Sequence, residues 1–190
     1  MGWFSMEHGS TAYRADFALY GGASAALAGF LMLAGPPAQR LPLLALALLG
    51  LAGWSLVEYV LHRFVLHGLR PFSTWHAEHH RRPTALICTP TVLSGSLIAA
   101  LVFMPALLLG DVWRACAVTW GLLTGYLVYT ITHHVMHHGR SERAWIVRRK
   151  RWHALHHGSP QEPILERGRY GVTSGFWDRV FRTAGSGLSR

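Results

Sequence analysis

The histidines are the residues of this 190-residue chain whose type and spacing point most directly to chemistry, because ten of the thirteen fall into four groups. Imidazole nitrogen is a strong ligand for transition metals. The groups lie at or just beyond the ends of long apolar runs, which predicts metal ions held at a membrane surface. In chain order the groups are His62 and His67; His76, His79 and His80; His133 and His137; and His153, His156 and His157.

Two of the groups have the spacing that places three side chains on one side of a helix. Residues at positions i, i+3 and i+4 share a helix face. The triplets that begin at His76 and at His153 both follow this rule, so each is expected to offer three nitrogens to one side. His62 and His67 are five residues apart. They converge only if the helix end loosens, or else each serves a different metal.

The histidines at the end of the last apolar run form two overlapping pairs. His133 and His137 are four residues apart, and so are His134 and His138, which lie about 100° around the helix. Spacing alone does not choose between these pairs.

The number and type of ligands predict the metal content. Ten ligands exceed the coordination number of about six that one ion reaches, so two ions with about five ligands each are expected. All-imidazole sites suit zinc, copper and iron. At a lipid boundary we favour two iron ions and activation of O₂, with zinc able to replace iron in a purified sample.

Carboxylates are expected just outside the ligands, because a ligating histidine usually donates its other ring N–H to an acceptor. Glu58 lies four residues before His62, Glu78 lies inside the HAEHH motif, and Asp178 lies in the tail. Five aromatic residues are candidates for lining a lipid entrance, with an interfacial aromatic belt as the alternative role. They are Trp75, Tyr126, Tyr129, Phe176 and Trp177.

Long apolar stretches must position these groups. The chain is 51% apolar and only 14% charged, and a membrane helix needs about 20 mostly apolar residues. The pattern predicts an all-α integral membrane protein, with a single domain over residues 1–190. The membrane helices are expected at about 17–34, 41–61, 85–109 and 113–133, and a cytoplasmic cap is expected at 62–84 and 134–190.

The net charge of +9 follows the membrane pattern, so no nucleic-acid partner is predicted. If the chain starts in the cytoplasm and crosses four times, sixteen of its 18 Lys and Arg lie on the cytoplasmic side. Only Arg40 and Arg114 lie outside. The positive-inside rule then places both termini and all four histidine groups in the cytoplasm. Seventeen arginines against one lysine favour a GC-rich bacterial genome, and therefore a bacterial inner membrane.

Five segments resemble the fatty acid hydroxylase and sterol desaturase superfamily of integral-membrane di-iron enzymes. The resemblance spans residues 58–183 and implies a cytoplasmic helical cap that carries a dimetal site. It implies that the ten histidines named first are the ligands, and so favours His133 and His137 over the shifted pair. The segments are EYVLHRFVLHG at 58–68, WHAEHHRRP at 75–83, YLVYTITHHVMHH at 126–138, RWHALHH at 151–157 and YGVTSGFWDRVFRT at 170–183.

The expected activity is O₂-dependent hydroxylation of an unactivated C–H bond in a membrane lipid, first of all in a fatty acyl chain. A carotenoid or sterol hydroxylase or desaturase of the same superfamily is the alternative. A membrane metal transporter or storage protein is disfavoured, because transport ligands would lie at mid-membrane. The sequence has no GxGxxG loop and no fused cytochrome, so electrons are expected from a separate ferredoxin, cytochrome or reductase. The basic helix 143–151 is a candidate docking site for an acidic carrier.

Overall fold

Helices make up all the regular structure in the computed structural model, which describes residues 6–158 and 168–185. Within those residues the only strand-like feature is an isolated antiparallel bridge between Glu7 and Ile87. The all-α prediction is confirmed. The α-helices are α1 (Ser10–Ala34), α2 (Arg40–Val60), α3 (Phe72–Arg81), α4 (Thr91–Ile98), α5 (Met104–Leu109), α6 (Val112–His138), α7 (Ala144–His157) and α8 (Phe176–Val180).

Three short segments of other helix types join or extend these helices. A 3₁₀ turn, Pro37–Gln39, precedes α2, and a π-helical segment, Leu61–Leu66, continues α2. A second π-helical segment, Ala99–Phe103, lies between α4 and α5 and ends two residues before Pro105. Because proline has no N–H to donate, the α-helical hydrogen-bond pattern is interrupted there, and the helix widens in the preceding turn.

Four helical stretches are long and apolar enough to cross a membrane, so this is a membrane protein with four candidate spans. They are Ser10–Ala34, Pro37–Leu66, Thr91–Leu109 and Val112–His138. The predicted cap range 134–190 includes residues 159–167 and 186–190, which lie outside the described residues.

Two helices begin at positions that differ from the predicted span starts. The helix that contains the first predicted span begins at Ser10, and its Asp16 is buried, where Oδ1 accepts a hydrogen bond of 2.5 Å from the Thr91 hydroxyl. The helix of the third predicted span begins at Thr91. The residues before it pair with the N-terminal lead, since His8 N donates to Leu86 O at 2.9 Å.

The chain forms two compact units. The first, here the span unit, contains the described residues up to Trp54 together with Leu86–Leu127. The second, here the histidine unit, contains Ser55–Ala85 and the described residues from Val128 onward.

Glycines bring the backbones of α2 and α6 together inside the span unit. A Cβ atom added to Gly121 would lie 1.9 Å from the carbonyl oxygen of Ala47, and one added to Gly50 would lie 2.3 Å from that of Val118. Small residues of this kind are what allow membrane helices to approach closely. Tyr126, one of the five aromatic candidates, is only 7% exposed in this unit, and its ring packs edge-on against Tyr20 and Trp54.

Candidate metal centre

Nine of the ten predicted ligands form two groups in the histidine unit, and the ligand atoms of each group lie within 4.8 Å of one another. Cluster A contains His62, His67, His76, His80 and His156. Cluster B contains His79, His133, His137 and His153. The tenth histidine, His157, borders both, because its Nε2 lies 3.2 Å from that of His153 and its ring stacks on His80.

The spacing of the nitrogens within each cluster fits a shared cation. In cluster A the Nε2 atoms of His62 and His80 lie 3.0 Å and 3.2 Å from that of His76. In cluster B the Nε2 of His137 lies 2.8 Å from that of His153 and 3.3 Å from that of His133. Metal–nitrogen bonds of about 2.1 Å place neighbouring ligand nitrogens about 3.0–3.4 Å apart in octahedral or tetrahedral geometry. The donor set and its spacing therefore fit a metal ion in each cluster.

A π-helical turn brings His62 and His67 into the same cluster. The N–H of His67 donates to the carbonyl oxygen of His62 at 3.2 Å, an i→i+5 bond that belongs to the segment Leu61–Leu66. The extra residue per turn moves His67 back over His62, and the ring centroids are 5.1 Å apart. Of the two options that the spacing left open, the loosened helix end is the one observed.

The expectation that each triplet would face one side is wrong. His76 and His80 lie in cluster A while His79 lies in cluster B, and in α7 His156 lies in cluster A while His153 lies in cluster B. Consecutive helical residues point about 100° apart. A triplet at the border between two clusters therefore supplies nitrogens to both.

The second pair in α6 lies outside both clusters. The rings of His134 and His138 stack on each other with centroids 4.7 Å apart, and neither contributes to a metal-binding group among the described residues. The structure thus brings together His133 and His137, the pair that the family resemblance favoured.

Burial keeps the cap histidines neutral. Burial, reinforced by the nearby His137 and His157, lowers the pKa of His79 to about 2. Burial first, and neighbouring histidines second, hold the pKa values of His76, His153 and His156 well below the ordinary 6.5. A neutral imidazole is the form that binds metal, so these rings are in the ligand form at neutral pH.

Backbone carbonyls, and not carboxylates, accept the second ring N–H of two cluster A histidines. Nδ1 of His62 lies 2.5 Å from the carbonyl oxygen of Tyr170, and Nδ1 of His156 lies 2.6 Å from that of Gly168. A carbonyl can only accept, so Nδ1 carries the proton in both rings. Sequence reasoning missed both acceptors because any residue type offers a carbonyl, although the glycine at position 168, with φ of +58°, marks an unusual turn there.

Two of the three predicted carboxylates bond to the backbone beside these carbonyl acceptors. Glu58, which is 3% exposed, accepts hydrogen bonds from Val172 N at 2.6 Å and Thr173 N at 2.9 Å. Asp178, which is fully buried, accepts from Tyr170 N and Gly171 N, both at 2.8 Å. Each carboxylate thus holds the backbone of the tail that supplies the carbonyl acceptors.

The third carboxylate, Glu78, points away from the clusters. It pairs with Arg81 and Arg82 on the partly exposed side of α3. Among the described residues its hydrogen bonds go to these two arginines, so an ordinary helix ion pair accounts for it.

One aromatic candidate contacts a cluster directly. The ring of Tyr129 is nearly parallel to that of His133, with an interplanar angle of 8° and centroids 5.9 Å apart. Trp75 packs edge-on against Phe72. Trp177 donates from its indole N–H to Ser55 Oγ at 3.0 Å, and Phe176 is 52% exposed.

Comparison with known proteins identifies the family. The model of the family "Fatty acid hydroxylase" matches residues 47–183. A dihydroceramide fatty acyl 2-hydroxylase of Arabidopsis thaliana is 34% identical over 145 residues, which cover 70% of this chain and 58% of that protein. A ceramide very long chain fatty acid hydroxylase of Schizosaccharomyces pombe is 33% identical, over 73% of this chain and 42% of that protein.

A solved structure has the same fold. The hydroxylase domain seen in full-length scs7p matches 97% of this chain and 71% of that one, with a TM-score of 0.77 and 24% identity. The chain spans about half the length of the two relatives named above. Given the family match over most of its length, together with the two histidine clusters that the structure assembles, the chain belongs to the fatty acid hydroxylase family.

Proposed function

We propose that this chain is a membrane-bound hydroxylase that inserts one oxygen atom of O₂ into a C–H bond of a fatty acyl chain. The observation that carries the proposal is the convergence of nine histidines into two groups in a member of this family. The relatives' names include dihydroceramide fatty acyl 2-hydroxylase, which supports an acyl substrate and makes the 2-position the first to test. We further propose that the whole chain acts as one catalytic domain.

We propose two iron ions as the resident metals, one in each cluster, with the ten histidines as their ligands and His157 assigned to cluster B. When bound, the iron would supply O₂ activation and removal of hydrogen from the substrate carbon. The balanced reaction consumes R–H, O₂, two electrons and two protons, and yields R–OH and water. The chain's own residues keep the imidazoles neutral and oriented, and the ring of Tyr129 beside His133 is the proposed wall of the substrate site.

The two electrons require a donor, which we propose to be a separate ferredoxin, cytochrome or reductase with an acidic surface. The basic helix α7 exposes Arg148 and Arg151, and Arg143, which caps its N-terminus, is exposed as well. Opposite charge on a partner speeds encounter and fixes its orientation. These three arginines are the proposed docking residues.

We propose that both termini and both clusters face the cytoplasm, and that the protein resides in a bacterial inner membrane. The positive-inside distribution of sixteen of 18 basic residues supports the orientation, and the dominance of arginine over lysine supports the bacterial origin.

Labelled oxygen tests the function. The full chain and two variants, His133→Ala and His134→Ala, are expressed in a host that makes membrane lipids and are supplied with ¹⁸O₂. Mass spectrometry should find one ¹⁸O on acyl chains with the unmodified chain and with His134→Ala, and none with His133→Ala. The two residues are neighbours in α6, but only His133 lies in a cluster.

Each other outcome has a distinct meaning. Label on a carotenoid or a sterol, with none on acyl chains, would replace the proposed substrate. No labelled lipid from a protein that holds two iron ions and has reductant would reject the hydroxylase function. Full activity of His133→Ala would reject its assignment as a ligand.

A further inference from the structure

On the basis of the proposed function, in which each cluster holds a metal ion, we propose that the two sites are unequal and fill in order. Residues 168–183, here the tail segment, fix two rings of cluster A, so that cluster A binds metal more tightly and fills first. Cluster B fills second. The difference arises from the surroundings of the imidazole Nδ1 atoms.

The tail segment fixes both the protonation pattern and the orientation of two cluster A rings. His62 and His156 are almost completely buried, and their Nδ1–H groups donate to the carbonyls of Tyr170 and Gly168. Because the proton is on Nδ1, the lone pair is on Nε2, and the Nε2 of His62 lies 3.0 Å from that of His76. These two rings are therefore arranged as metal ligands before any ion binds.

The two carbonyls are themselves held in place. Asp178 accepts from Tyr170 N and Gly171 N, and its Oδ1 also accepts from the Thr183 hydroxyl at 2.8 Å. Glu58 holds the next two residues of the tail segment, and Arg149 donates to Gly171 O at 2.8 Å. Two buried carboxylates and one guanidinium thus brace the turn that presents the acceptors to His62.

Two glycines allow this turn to form. Gly168 has φ of +58°, and a Cβ atom there would lie 2.1 Å from the carbonyl oxygen of Thr183. A Cβ atom on Gly171 would lie 1.9 Å from the carbonyl oxygen of Ser174. Side chains at these positions would push the neighbouring backbone segments apart, so the fold of the tail segment depends on close backbone contacts at these glycines.

Two of the four cluster B rings, those of His79 and His153, lack such anchors among the described residues. Nδ1 of His79 and Nδ1 of His153 are buried and have no hydrogen-bond acceptor there. His80 is the one cluster A ring in the same situation. Packing against neighbouring rings is what orients His79 and His153, and the centroid of His79 lies 4.7 Å from that of His133.

Outer partners of metal-binding histidines change metal affinity by about 10–100-fold, because an unanchored ring must be ordered when the ion binds. Cluster A, with two anchored rings, is expected to bind at least about 10-fold more tightly than cluster B. The order of loading follows from that difference.

Titration of the metal-free chain of residues 1–190 with Co²⁺, in detergent micelles without oxygen, tests the order. The visible ligand-field bands and a competing chelator report each binding step. Two steps are expected, one ion each, separated by about 10-fold or more. His153→Ala should remove the second, weaker step and keep the first.

Asp178→Asn tests the anchoring role. It should weaken the first step by about 10–100-fold and leave the second nearly unchanged. Glu58→Gln should weaken the same step by less, because Val172 N and Thr173 N both donate to Oε1, which glutamine retains, whereas the two N–H groups on Asp178 use both of its oxygens. Glu58→Gln serves if Asp178→Asn yields no folded protein. Asp111→Asn is the control, since that carboxylate is in the span unit and bonds to Arg114 N, so neither step should change.

The outcomes separate this proposal from the function it rests on. Fewer than two Co²⁺ ions bound would reject the proposed dimetal function. Two ions bound with equal affinity, or loss of the tighter step in His153→Ala, would overturn the order and leave the dimetal function standing. Equal weakening of both steps by Asp178→Asn would assign the tail segment a general folding role and overturn its selective one.

Discussion

Arg148 and Arg149 are neighbours in α7 whose side chains have different surroundings. Arg148 is exposed, whereas Arg149 donates to Gly171 O at 2.8 Å and also to Val172 O. Burial lowers the pKa of the Arg149 guanidinium, and the nearby Glu58 carboxylate partly opposes that shift. Arg149 therefore supports the tail segment and is not a docking residue. The proposed docking residues remain the exposed Arg143, Arg148 and Arg151.

The double variant Arg148→Glu with Arg151→Glu should slow turnover supported by a protein electron donor by about 10-fold at low salt, because steering by opposite charge is lost. Added salt should reduce the difference. Metal content should stay the same, since neither side chain contacts a cluster. Product formation with the protein donor, compared with a small chemical reductant, is the measurement.

Arg149→Gln is the matched comparison. It should lower metal content and should impair turnover with either reductant, because it removes hydrogen bonds from the turn beside His62. Equal rates for the double variant and the unmodified chain with the protein donor would contradict docking on α7.

At the scale of the helices, periodicity predicted which segments are helical but not where their geometry changes. An i, i+5 spacing does not fit an α-helix, and only the hydrogen bond from His67 N to His62 O shows that the turn widens. The predicted first span began at residue 17, where the uncharged run starts, whereas α1 also contains Asp16, whose carboxylate accepts a hydrogen bond from Thr91. Long-range partners such as Thr91 leave no trace in local sequence.

The candidate site was more predictable than the details of the helices. Groups of histidines near the ends of apolar runs predicted nine of the residues that the structure assembles, although His62 and His67 lack helical spacing and only the family resemblance favoured His133 and His137. How each triplet divides between clusters depends on how α3 and α7 are rotated in the histidine unit, which spacing does not encode. The carbonyls of Gly168 and Tyr170 were unpredictable for a different reason, because a backbone acceptor has no residue-type signature.

Two glycines of α2 provide a matched test of helix packing in the span unit. Gly50→Ala should lower the free energy of unfolding by about 1–3 kcal/mol and the melting temperature by about 2–12 °C, since its Cβ would meet the Val118 backbone. Gly53→Ala should leave the melting temperature unchanged or slightly raised, because no atom lies within 4 Å of a Cβ there. Thermal unfolding in detergent, followed by tryptophan fluorescence, measures both. Equal melting temperatures for the two variants would contradict close packing at Gly50.

At the scale of the whole molecule, folding gathers many titratable rings into a small buried volume. The unfolded chain binds a proton on each histidine as the pH falls through about 6.5. The folded chain does not, because burial and neighbouring histidines hold the pKa of His79 at about 2 and those of His76, His153 and His156 well below 6.5. Below pH 6.5 the unfolded state therefore binds more protons, and the stability of the metal-free protein falls as the pH falls.

The metal-free protein should consequently melt at a lower temperature at pH 5 than at pH 6.5. One histidine that stays neutral in the fold costs about 2 kcal/mol over that interval, which corresponds to about 4–8 °C for a protein of this size. Several such rings make the drop in melting temperature larger, whereas raising the pH from 6.5 to 8 should change the melting temperature little. Bound metal should move this loss of stability to lower pH, because an ion on Nε2 competes with the proton. Melting curves of chelator-treated and metal-loaded samples measure the effect, and a metal-free protein that is more stable at pH 5 than at pH 7 would contradict neutral, buried clusters.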